Sequence, residues 1–200
     1  MELQRRLVAE LPDQADLHNE LAISCVNLAY SYGQQGKWAA ALPLLRESRP
    51  HHLAALKLSP LHPTYRQAFR NHLNMLTTVH AALLEPSEAV RTAEACRELG
   101  WNAPVDAYDA ACFLSRCITV VARHDKLDDK QRDDAVRFYG DAAMKMLREA
   151  VSRGYREVAH IKTSTDLEPL RRREDFQKLV AELDAQPNKL TGDAADGAGR

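Results

Sequence analysis

The chain has almost no β-branched runs. Ile118-Thr119-Val120-Val121 is the nearest to one, and Ala, Leu, Arg and Glu dominate elsewhere. That composition argues against a sheet and predicts an all-α fold. Long apolar stretches are lacking too: none approaches the roughly 20 residues of a membrane helix. Behind Met1 stand Glu2, Gln4, Arg5 and Arg6, where a secretory signal would carry its apolar region. Neither sign of charge prevails, since 27 basic and 28 acidic residues leave a formal charge of -1. Such a balance removes any bulk attraction to nucleic acid or to an anionic membrane. The four cysteines, Cys25, Cys96, Cys112 and Cys117, include no C-x-x-C pair. They fit a reducing cytosol better than a disulfide framework, so a cytoplasmic protein is expected.

What the chain does have is a pattern that recurs. Cys25-x2-Leu28-Ala29-x2-Tyr32, Gly36 and Ala41-x3-Leu45-x2-Ser48 are followed by Leu73-x2-Leu76-Thr77-x2-His80 and Ala89-x3-Ala93-x2-Cys96. Tyr32 to His80 and Ala41 to Ala89 are both offsets of 48 residues. A third, looser version is Tyr108-x2-Ala111-Cys112-x2-Ser115 with Ala143-x3-Leu147-x2-Ala150. This order of large and small positions resembles the tetratricopeptide (TPR) repeat, a helix pair that stacks on its neighbours. The resemblance implies a TPR-like helical-hairpin solenoid of about three units. The offset exceeds the usual 34 residues by about 14, close to four helical turns, so the helices are expected to be lengthened with their apolar faces kept in phase.

Element by element, residues 1–12 read as the end of a preceding repeat helix, with Leu3, Leu7 and Leu11 in one stripe and Pro12 as the stop. That would make the chain a fragment or one end of a longer parent. Residues 13–184 are expected to form the solenoid. Asp13 or Asp16 is a candidate cap for a helix ending near Tyr32. The partner helix should start near Lys37, with Pro43 in its first turns and a kink or break at Pro50. Helices are then expected over 64–84, from Pro86 to a stop at Gly100, after Pro104, over 128–153, over 155–162 and over 172–183. Residues 185–200, poor in apolar side chains, read as a disordered tail.

Several strings resemble the C-terminal TPR region of large bacterial serine/threonine protein kinases. They are Gly36-Lys37-Trp38-Ala39-Ala40-Ala41-Leu42-Pro43-Leu44-Leu45, Tyr108-Asp109-Ala110-Ala111-Cys112, and Asp166-Leu167-Glu168-Pro169-Leu170 with Asp175-Phe176-Gln177-Lys178-Leu179. The kinase motifs themselves are missing: no Gly-rich loop, no V-A-I-K, no H-R-D loop and no D-F-G. The resemblance thus implies an interaction module, or the regulatory part of such a kinase, rather than a catalyst.

Site chemistry is sparse. There is no H-E-x-x-H, and the adjacent His51 and His52 cannot form an i,i+4 pair. No metal and no cofactor is expected. The histidines read as surface residues, with His80 a packing residue, and the cysteines as small core residues. An enzyme using a Cys/His pair is the alternative from another class, and it needs a base brought beside a thiol by the fold. The acidic run from Asp125 to Asp134 lacks the central Gly and closing Glu of an EF-hand loop, and Arg171-Arg172-Arg173 reads as a solvated helix start.

In a TPR array the first helix of each pair lines a concave groove. The repeat register places Ile23, Val26, Asn27 and Tyr30 there, then Asn71, Asn74 and Thr78, then Asp106, Asp109, Phe113 and Arg116. Asn side chains suit the backbone of an extended peptide, because they offer donor and acceptor together. The expected partner is therefore a protein or extended peptide, neither nucleic acid nor membrane.

Overall fold

The computed structural model describes residues 1–185. Among the described residues it is all-helical, without strands. The order is α1 (Glu2–Glu10), α2 (Ala15–Gln34), α3 (Trp38–Leu58), α4 (Pro63–Ala82), α5 (Pro86–Arg97), α6 (Ala103–Ala122), α7 (Asp129–Ser152), α8 (Val158–Thr163), a 3-10 segment (Thr165–Leu170) and α9 (Glu174–Ala185). Of the tail expected over 185–200, Ala185 closes α9 and the rest lies outside the described residues.

Local chemistry sets most of the boundaries. Pro63, Pro86 and Pro104 stand in first turns, where no N–H is needed. A capping box opens α7: Asp128 Oδ1 accepts from Gln131 N (2.8 Å), and Gln131 Oε1 accepts from Asp128 N (3.1 Å). The acids of the 125–134 run therefore serve the start of a helix. At the end of α2, Gly36 has φ +72°, Gly36 N–H bonds Gly33 O, and Lys37 N–H bonds Tyr32 O. This is a Schellman stop. The same two bonds recur 48 residues later, from Leu84 N–H to Ala81 O and from Glu85 N–H to His80 O. There the left-handed position is held by Leu84, with φ +60°. That conformation explains why α4 stops at Ala82 rather than at the expected residue 84.

Three sequence expectations need correction. Neither Asp13 nor Asp16 caps α2: its N-cap is Gln14, and the Asp16 carboxylate instead accepts from the Tyr65 hydroxyl at 2.6 Å. Pro50 does not break α3, which runs on to Leu58, and Pro43 is also inside the helix. Both prolines are exposed, as are Ala39 and Arg46, whose carbonyls lose their partners. On the exposed side of a helix a carbonyl deprived of its partner can turn to solvent, and α3 carries both prolines there. Finally, α9 begins at Glu174, after the arginine triplet. Arg173 is half-buried and bonds Asp141 (2.6 Å) and Asp175 (2.9 Å). It lies so close over Gly140 that a Cβ there would sit 2.4 Å from Arg173 Nη1.

The strongest packing is within the pairs α2/α3, α4/α5 and α6/α7. Adjacent pairs meet through α3 against α4 and α5 against α6, while α2 touches α4 and α4 touches α6. Ala41, Ala89 and Ala143 are fully buried, as small residues at helix crossings must be. One large apolar core runs from α4 to α9 around Leu114, Met144, Leu147 and Leu170. Two small clusters serve the first three helices: Ala29, Ala41, Leu42, Leu45 and Val79, and then Val8, Leu21 and Cys25.

Candidate functional site

Helices α2, α4 and α6 bring a line of polar side chains to one groove. At one end a pocket of about 530 Å³ lies among Ile23, Val26 and Asn27 of α2, His52 of α3, and Pro63, Thr64, Gln67, Ala68 and Asn71 of α4. A second pocket, about 310 Å³, is lined by Val26, Asn27, Tyr30, Asn71, Asn74, Thr78 and Arg116, with Gly33, Gln34, Trp38 and Met75. Val26, Asn27 and Asn71 line both, so the two adjoin. The Trp38 wall depends on Gly33, where a Cβ would come within 2.6 Å of the indole ring.

Seven of the eleven sequence-chosen groove residues meet in that second pocket, Val26, Asn27, Tyr30, Asn71, Asn74, Thr78 and Arg116, and Ile23 lines the first. Tyr30 is 57% exposed, large for an aromatic side chain. Asn71 Oδ1 accepts from Gln67 Nε2 (3.0 Å), and Thr78 Oγ1 donates to Asn74 O (3.0 Å). Asn74 Oδ1 is buried without a partner. Arg116 is engaged by Asp166 at 2.7 Å.

Asp109, Phe113 and Asp106 are placed otherwise. Phe113 is buried in the large core and cannot line a groove. Asp106 is fully buried, accepts from the backbone N–H of Trp101 (2.9 Å) and Asn102 (3.0 Å), and pairs with Arg70. Asp109 is half-buried, with Arg70 Nε 3.1 Å from its Oδ2, an ionic contact without hydrogen-bond alignment. Burial pushes the Asp109 carboxyl up to about 6, with Arg70 opposing. Arg70 also lies over the Trp101 ring, 5.2 Å from its centroid. This arrangement ties α4 to α6. The repeat register puts these α6 residues near the groove, but side-chain burial turns two of them inward.

The histidines correct the surface reading. His18, His52 and His72 are buried. His18 and His51 bond through their Nδ1 atoms (3.0 Å), and His72 Nδ1 meets Ser48 Oγ (2.8 Å). Both nitrogens of His52 lack partners. Burial drives His52 down to about 4 and His72 to about 3, so both rings are neutral near pH 7. His80 packs as expected and bonds Glu85 at 2.6 Å. Sequence reasoning missed His52, Gln67 and Trp38 as groove residues. Only Trp38 carried a signal, a large ring just past the turn at Gly36.

All four cysteines are free and buried. Burial raises Cys25 to about 11 and Cys112 to about 12, and moves Cys96 and Cys117 further up. Thiols so held stay protonated and unreactive. Cys96 and Cys117 bond only to backbone carbonyls. Among the described residues no three or more His, Cys, Asp or Glu side chains gather in a way that could hold a metal ion, and no helix is long and apolar enough to cross a membrane. No protein family, curated protein or solved structure matches the chain.

Proposed function

We propose that the chain is a protein-binding module: a TPR-like solenoid of about three helix pairs that holds a protein or extended peptide along the groove of α2, α4 and α6. The observation that carries this reading is the meeting of seven sequence-chosen residues at one pocket wall. The helix stop repeated at Gly36 and Leu84 supports the repeat, because the same two hydrogen bonds recur at the spacing of the sequence pattern. The groove offers carboxamides, an exposed tyrosine and short apolar walls, a surface for polypeptide rather than for chemistry. Buried, protonated thiols weigh against a Cys nucleophile.

Affinity capture with the full chain tests it. Two backbone hydrogen bonds of about 0.5–1.5 kcal/mol each are removed by Asn27→Ala with Asn74→Ala, which should weaken the captured partner at least fivefold. The thermal midpoint should not move, because neither carboxamide bonds another described side chain. Arg91→Ala on the exposed side of α5 should leave capture unchanged. Equal capture by the double variant and the parent chain would remove the groove as the binding face.

A further inference from the structure

Among the described residues that line the larger pocket, none is charged. His52 is included, because burial holds that ring neutral. In the adjoining pocket one described wall residue is charged, Arg116, and it is already engaged by Asp166 at 2.7 Å. A ligand charge entering here would lose hydration and meet no counter-charge.

Neutral donors and acceptors are plentiful instead. Gln67 and Asn71 stand one helical turn apart and bond through Gln67 Nε2 and Asn71 Oδ1 (3.0 Å). The Gln67 oxygen and the Asn71 amino group bond no other described residue, leaving one acceptor and one donor. The Asn27 carboxamide bonds no described residue and is exposed. The wall is completed by His52, only 1% exposed, with both ring nitrogens unpartnered. The rings of Phe69 and His72 close on it at 5.8 and 5.2 Å. Ile23, Val26 and Ala68 supply apolar wall beside these groups. A peptide unit presents one N–H and one C=O, the complement of what Gln67 and Asn71 leave free.

We propose that this pocket seats an aliphatic side chain of an uncharged, internal segment of polypeptide, whose flanking peptide groups pair with Asn27, Gln67 and Asn71. The proposal rests on the groove reading above and adds the chemistry of the segment. A free C-terminal carboxylate is not the anchoring group, since the pocket holds no cation for it.

The probe is N-acetyl-leucine N′-methylamide, one aliphatic side chain between two peptide groups. It is titrated into the full chain at up to tens of millimolar while backbone amide resonances are followed. Saturable shifts are expected at Val26, Asn27, Ala68 and Asn71. N-acetyl-leucine, which ends in a carboxylate, should bind at least tenfold more weakly. Asn71→Ala, at an exposed position, should keep the thermal midpoint and lose most of the response. Equal binding of the two probes would overturn the preference for a neutral segment and leave the groove as a binding face. Shifts confined to residues outside the groove, or no saturable shift, would overturn the pocket assignment, whereas the groove reading is decided separately by the capture experiment.

Discussion

The two ends of this helical chain are stabilised differently. From α4 to α9 one continuous apolar core joins every element, and the buried residues are chiefly Ala, Leu, Met and aromatic side chains. Around α1 to α3 the apolar clusters are small and separate, and the interior between α2, α3 and α4 contains His18, Ser48, His52 and His72. The first arrangement resists local opening through many shared contacts, and the second relies on a few side chains and on His52 and His72, which burial holds neutral. The groove straddles the two, lined by α2 and α3 on one side and by α4 with Arg116 on the other. A groove walled on one side by the less cohesive part of a fold can change shape there without disturbing the rest.

The largest expected effect lies inside the first region, where α4 meets α6. Arg70→Ala leaves the fully buried Asp106 without its ion-pair partner and should cost about 3–5 kcal/mol, read from the urea midpoint. A cost under 1 kcal/mol would mean that the two backbone N–H groups alone sustain the carboxylate.

Truncation in the two cores comes next. Leu147→Ala, inside the large core, should cost about 3–4 kcal/mol, and Leu21→Ala, in the smallest cluster, about 2 kcal/mol. Equal losses would erase the difference drawn between the two ends.

Acid separates the regions by sign. His52 and His72 have folded-state values well below the ordinary imidazole, so the unfolded chain binds more protons between about pH 4 and pH 6.5. Their contribution is complete above about pH 6.5 and is lost as pH falls toward 4, by about 3 kcal/mol for His52. Asp109 is raised to about 6, so its ionisation lowers stability as pH rises through about 6, the opposite slope. Hydrogen exchange at pH 4.5 should therefore accelerate in α2 and α3 before α6 and α7. His52→Phe should flatten the first slope and Asp109→Asn the second. Uniform acceleration along the chain would contradict the assignment.

The smallest effect concerns the repeat itself. Leu84→Gly relieves a left-handed leucine where the first pair has Gly36, and should raise stability by about 0.5–1 kcal/mol. A loss instead would mean that the Leu84 side chain packs more than its 37% exposure suggests.

The all-α character, the helix pairs and most helix ends were legible in the sequence. They follow from propensity, apolar spacing and caps, all properties of neighbouring residues. The second-pocket cluster was legible for the same reason, because helical register fixes which of Val26, Asn27, Tyr30, Asn71, Asn74 and Thr78 share a face with their neighbours. Continuity through Pro50 was not legible, since it depends on which way the freed carbonyl faces. The inward turn of Asp106 and Phe113, the burial of His52 and His72, and the neutrality of the larger pocket were decided only by tertiary packing. Each depends on how deeply neighbouring helices bury a side chain, and burial sets both a group's charge and its accessibility to a partner.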